Sequence, residues 1–139
     1  MYYEDATEGA ELPALVKELA THRMMAYGAA TWDFIRLHYD LAYAKEKGFD
    51  APFVDGQMYG PLLAQLVQDW AGPDAFLQKL SFRNRAMAFA GDTVTCKGIV
   101  ASKEIDGDKA LVACDLWVEN AQGDRVIDKA SAVVRVPKR

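Results

Sequence analysis

The segment QMYGPLLAQLVQDW, residues 57–70, sets apolar side chains at Met58, Tyr59, Leu62, Leu63, Leu66, Val67 and Trp70. That is a wide stripe at the 3.6-residue period of an α-helix, and a stripe so broad must pack against something large. Gly60 and Pro61 fall in the first turn, where amide protons have no intrahelical acceptor to lose. The spacing therefore predicts a helix that starts just after Gly56 and ends at Gly72-Pro73.

Downstream of Phe76 the period changes to two. Leu80, Phe82 and Asn84 share one face of a strand, with Arg83 and Arg85 on the other. Gly91-Asp92 opens a second strand with Val94, Cys96, Gly98 and Val100 on one side. Asp106-Gly107 is a hairpin signal, followed by Val112, Cys114, Leu116 and Val118, and NAQGD (120–124) turns the chain into VIDKASAVVRV (126–136). Four strands joined by short turns predict an antiparallel meander with one apolar face. A helix with one apolar stripe and a sheet with one apolar face predict a two-layer α+β domain, its sheet long enough to curl around the helix.

Upstream the pattern is less regular. Residues 11–19 (ELPALVKEL) fit an edge strand, since Pro13 is tolerated only at an edge or a strand start. Thr21 is placed to cap a helix running through Met24, Met25 and Tyr27 toward Gly28–Thr31. HYDLAYAKEK (38–47) suggests a second short helix, with Gly48 supplying the positive φ just past its end.

At 139 residues the chain has the length of one domain, 1–139. Twenty acidic against sixteen basic side chains leave a net charge of −4, the wrong sign for a nucleic-acid binder that must neutralise phosphates. No apolar run reaches the ~20 residues of a membrane span. The acidic N-terminus has no secretory h-region, so the expected location is cytoplasmic. Cys96 and Cys114 sit in alternating apolar runs without CxxC or histidine company, which reads as core thiols rather than metal or redox ligands.

The chemistry concentrates in TWDFIRLHYD (31–40), which holds Asp33, His38 and Asp40. Asp33 and His38 are five residues apart; a helix would turn them ~140° from each other, and a strand would put them on opposite faces. They converge only if the segment is irregular. The plain alternative is a loop in which Asp33 caps a turn and His38 meets water. No G-x-S-x-G nucleophile elbow occurs, and the spacing of Asp33, His38, Asp40 and Asp55 matches no metal-ligand pattern. His22, beside Thr21, reads as a surface residue of the helix start.

D-F-I-R-L-H followed by Y-D-L-A-Y and Ala44, then APFVDGQMYGPLLA (51–64), then FRNRAMAFAGDTVTCKGIV (82–100), resemble in order three motifs of the MaoC-like dehydratases, the (R)-specific enoyl-CoA hydratase family. The similarity spans roughly residues 8 to 137. It implies a hot-dog fold, an antiparallel curved sheet wrapped around a long central helix. It also implies hydration or dehydration of an enoyl or 3-hydroxyacyl thioester of CoA or an acyl carrier, with Asp33 and His38 as the acid/base pair. Gly56, with Gln57 beside it, would bind the thioester oxygen. The resemblance implies no metal and no redox cofactor, since the thioester is substrate, and it implies a homodimer or higher homo-oligomer.

The departures matter as much. Ile35-Arg36 stands where the family often has Asn-Pro, Asp55 where it often has His before the loop glycine, and Ala64 where several members have Ser. Arg36, Asp55 and Met58 are candidate substrate contacts, with a surface ion pair the competing reading for Arg36. Met24, Met25, Met58 and Met87 would line an adaptable tunnel or simply fill the core. A hot-dog thioesterase, with Asp55 activating water, and a non-catalytic acyl-thioester-binding subunit are the alternatives.

Overall fold

The computed structural model describes residues 1–139. Five strands form one antiparallel sheet: β1 (Leu15–Glu18), β2 (Phe76–Asn84), β3 (Thr93–Asp106), β4 (Lys109–Glu119) and β5 (Arg125–Val136). The helices are α1 (Thr21–Thr31), α2 (Leu41–Glu46) and α3 (Tyr59–Ala71). The sheet order β1-β3-β4-β5-β2 curls around α3, giving the hot-dog architecture.

The periodic segments behave as their patterns dictate. On α3, Tyr59, Leu62, Leu63, Leu66, Val67 and Ala71 are buried. They meet the inward residues Val94, Cys96, Gly98 and Val100 of β3, Val112, Cys114, Leu116 and Val118 of β4, and Ala130, Ala132, Val134 and Val136 of β5. Truncating a fully buried leucine of this stripe, such as Leu63 or Leu66, should cost about 2–5 kcal/mol. Both cysteines are buried, and burial pushes the Cys96 thiol up to about 12 and that of Cys114 up to about 11. Tyr59 is 2% exposed, and its phenolic oxygen has no hydrogen-bond partner.

The strand order, the Thr21 cap and the start of the second helix need correction. The last four strands do not form a simple meander, because β2 pairs with the far side of β5 and not with β3. The connection 85–92 is too long for a tight hairpin. It is tied instead to residues 52–54 by Val54 N–H to Ala88 O at 2.8 Å and Ala90 N–H to Pro52 O at 2.8 Å. Thr21 is not an N-cap but the first residue of α1. Ala20 takes the cap position without a side-chain bond, because Leu19, bonded to the Asp92 carbonyl at 2.7 Å, delivers the chain straight from β1 into the helix.

The second short helix begins at Leu41, not His38. Arg36–His38 make a 3₁₀ turn, and Asp40 caps α2 by accepting from the Tyr43 amide at 3.0 Å. A short carboxylate that bonds the backbone in this way ends one element and starts the next. Gly48 follows α2 with φ +88, and β1 is the edge strand expected within 11–19.

Candidate active site

Asp33 and His38 are brought together by two consecutive irregular turns. α1 ends with Trp32 in the left-handed region at φ 61, and the amides of Trp32 and Asp33 both reach back to the Gly28 carbonyl. A β-carbon on residue 28 would lie 2.5 Å from the Asp33 carbonyl oxygen, so only glycine lets the chain fold this tightly over the helix end. Asp33 Oδ1 then accepts from the Ile35 amide at 3.2 Å, and the 3₁₀ turn at 36–38 swings His38 back toward it.

His38 is oriented by the segment before α3. Its Nδ1 lies 2.8 Å from the Phe53 carbonyl oxygen. A carbonyl only accepts, so Nδ1 carries a proton, and in the neutral ring Nε2 presents its lone pair. The ring also stands edge-on to the Phe53 ring, with centroids 5.1 Å apart.

Asp55 joins them. Donor atoms of Asp33, His38 and Asp55 all lie within 4.8 Å of one another, and all three residues are half-buried. Two carboxylates and an imidazole at that spacing can hold a divalent cation or share a water. The Asp55 Oδ1 also accepts from the Gln57 amide at 2.9 Å, capping the 3₁₀ turn Gly56–Met58 that leads into α3. Met24, Tyr27, Gly28 and Met58 complete the walls of a cleft of about 10 Å³, room for about one water. Burial, followed by the charges of Asp55 and Asp33, raises the pKa of the Tyr27 phenol.

The other candidates fall into place around this cleft. The Gly56 amide donates to no acceptor in the protein, whereas that of Gln57 is taken by Asp55 and its side chain is exposed. Arg36 points away, to Asp40 at 2.8 Å and over the Tyr43 ring at 4.2 Å. That is the ion-pair reading. Asp40 is held below the usual carboxylate range by the Tyr43 amide and by Arg36. Of the methionines, Met24 and Met58 are buried at the cleft while Met25 and Met87 are exposed. His22 is an exposed residue of α1.

Two neighbours were not singled out from the sequence. Tyr27 had no signal beyond its place on a helix. Asn84 had one: a polar residue at the end of the inward Leu80–Phe82 face of β2. Its amide packs on Gly56 so closely that a β-carbon there would overlap it. The largest groove, about 570 Å³, lies on the outward face of the sheet beside Trp117 and Arg125 and contains none of these residues.

No protein-family model matches the chain. It is 32% identical over 118 residues to the 3-oxo-4,17-pregnadiene-20-carboxyl-CoA hydratase beta subunit of Mycobacterium tuberculosis, across 85% of this chain and 88% of that one. The chain belongs to the MaoC-like, (R)-specific enoyl-CoA hydratase family. A second member, the (R)-specific enoyl-CoA hydratase of Aeromonas caviae, is 27% identical over 88% of this chain and 90% of its own. Among solved members, the A. caviae (R)-hydratase superposes with a TM-score of 0.85 at 25% identity, covering 96% of this chain and 99% of that one. The ChsH1-ChsH2 complex of M. tuberculosis gives 0.77 at 30% identity, covering 96% and 98%.

Proposed function

We propose that this member of the family hydrates an enoyl thioester of CoA to the 3-hydroxyacyl thioester, and runs the reverse dehydration when the product accumulates. The observation that carries the reading is the convergence of Asp33 and the His38 imidazole, its Nδ1 tied to the Phe53 carbonyl, on a space of one water. The names of both curated relatives, each a hydratase of a CoA thioester, support the same substrate class.

Hydration needs a base for the attacking water, an acid for C2 and a donor for the thioester oxygen. The Asp33/His38 pair takes a proton from water as its oxygen bonds to C3. The pair returns that proton to C2, so protons balance over the turnover. Negative charge that develops on the thioester oxygen is met by the free amide of Gly56, one such donor contributing about 3 kcal/mol to the transition state. The phenol of Tyr27 and the side chains of Met24 and Met58 wall the water in.

The test is a screen of enoyl-CoA substrates, straight, branched and dicarboxylic, read by loss of the conjugated absorbance. Loss of conjugation without release of free thiol supports the reading. Thiol release from saturated acyl-CoA instead would favour the thioesterase, for which the position of Asp55 in the cleft is the supporting observation. Binding without either reaction would make the chain a thioester-binding subunit. We also propose a homodimer or higher homo-oligomer; one relative is named as a beta subunit, so the screen belongs with a measurement of mass in solution.

A further inference from the structure

Asn84 ends β2 at a β-bulge. Across the pairing with β5, Arg83 faces Lys129 and Asn84 faces Ile127, which leaves Asp128 as the extra residue. Bulges bend a strand and re-aim the side chains beside them. Arg85, the next residue, ties it down twice: its Nη1 reaches Asp128 Oδ2 at 3.0 Å, and its amide donates to the Val126 carbonyl at 2.9 Å. The Asn84 side-chain amide is thereby held against Gly56, on the side where a β-carbon would project.

Neither group is occupied. The Asn84 amide bonds to nothing in the protein, and Asn84 is exposed, so an incoming ligand can reach it. The Gly56 N–H is likewise free. A side-chain amide without a partner thus packs against a residue whose backbone N–H is also free, which places two polar groups side by side next to Asp55. Gly56 matters twice here, because a β-carbon would force the Asn84 amide off this position.

We infer that Asn84 donates a hydrogen bond to the thioester oxygen alongside the Gly56 amide, completing a two-donor oxyanion site. The inference rests on the thioester reading above. It makes Asn84 a catalytic residue from a strand remote in sequence from the Asp33–His38 loop.

Asn84→Ala and Asn84→Asp test it, in full-length protein, with two readouts. The first is kcat for hydration of enoyl-CoA, expected to fall on the order of 10²-fold in Asn84→Ala and further in Asn84→Asp, which replaces a donor with an anion. The second is the carbonyl stretch of bound, carbonyl-labelled saturated acyl-CoA. Wild-type protein should shift it to lower frequency, and Asn84→Ala should lose part of that shift. The second readout needs no turnover, so it serves equally if the chain proves to be a thioesterase or a binding subunit. Unchanged kcat and an unchanged carbonyl shift in Asn84→Ala overturn the role of Asn84 alone. A wild-type protein that binds no acyl-CoA overturns this inference and the functional reading together. Unfolding curves for both variants should match wild type, since the side chain makes no bond within the protein.

Discussion

The imidazole of His38 is locked by the carbonyl of Phe53, with Nδ1 at 2.8 Å from the oxygen. The backbone thus chooses the tautomer of the neutral ring and leaves Nε2 free, with carboxylate oxygens of Asp33 and Asp55 within 4.8 Å of the imidazole. Nitrogen-15 shifts of the neutral histidine should mark Nδ1 as protonated and Nε2 as bare. Asp33→Asn and His38→Gln should each lower kcat by about 10²–10⁴-fold with little change in unfolding midpoint. Full activity in both variants would end the assignment.

Asp55 separates the hydratase from the thioesterase reading. Asn caps a turn as well as Asp does, so Asp55→Asn should keep the bond to the Gln57 amide and leave stability within about 0.5 kcal/mol. If Asp33 and His38 carry the proton transfers, Asp55→Asn should cost less than about tenfold in kcat, far less than Asp33→Asn. The reverse ranking, with Asp55→Asn the more damaging, would point to Asp55 as the residue that activates water.

Much of the fold was readable because it is periodic. The α3 stripe and the alternation in β3, β4 and β5 each announce one buried face, and burial then follows. The pairing of β2 with β5 was not readable, because Phe76–Asn84 carries the same alternation whichever strand it joins. The Asp33–His38 pair shows the same divide. Its spacing demanded an irregular turn, and the family resemblance implied one. Of its ingredients, the left-handed Trp32 and the backbone bonds to Gly28 are local but fall on a tryptophan, which rarely takes that conformation, and the His38–Phe53 contact joins residues fifteen apart, so none leaves a readable pattern. Arg36 shows the converse: its i,i+4 partner Asp40 was in plain view in the sequence, and that pair is what formed.

Gly28 is the residue on which the pair's geometry depends. A methyl group there would press on the Asp33 carbonyl at 2.5 Å, and that oxygen belongs to backbone, which cannot rotate away. Gly28→Ala should destabilise the protein by about 1–3 kcal/mol and lower kcat more than stability alone explains, because Asp33 shifts with its backbone. Wild-type kcat in the folded variant would show that the site tolerates a displaced Asp33.

The donor set Asp33, His38 and Asp55 would also accept a divalent cation, so metal dependence has to be measured directly. Hydration by the carboxylate and imidazole alone should survive exhaustive chelation. Added zinc should inhibit, competing with the water for Nε2. Activity lost to a chelator and restored by one metal would replace the acid/base scheme with a metal-bound water.

Tyr59 offers a test of the core that is independent of the chemistry. Its phenolic oxygen is buried without a partner, and burial, with smaller contributions from Asp92 and Cys96, raises its pKa above that of a free tyrosine. An unpaired buried hydroxyl costs about 1–3 kcal/mol, so Tyr59→Phe should stabilise the fold by about 1 kcal/mol at neutral pH. The sign with pH follows from linkage. Groups whose pKa is higher folded than unfolded keep stability below the unfolded value and lose it as pH rises above that value. Cys96, raised to about 12, and Cys114, raised to about 11, begin to weaken the fold above the free-thiol range near ~8.5. Tyr59 adds to the loss only above ~10. Stability should therefore decline from the thiol range upward and more steeply above the phenol range, and Tyr59→Phe should reduce the steepening while leaving the thiol loss and the smaller share of Tyr27. Denaturant unfolding of both proteins from neutral to alkaline pH measures this. A Tyr59→Phe variant less stable than wild type at neutral pH would mean the hydroxyl has a partner in solution, a bound water being the simplest.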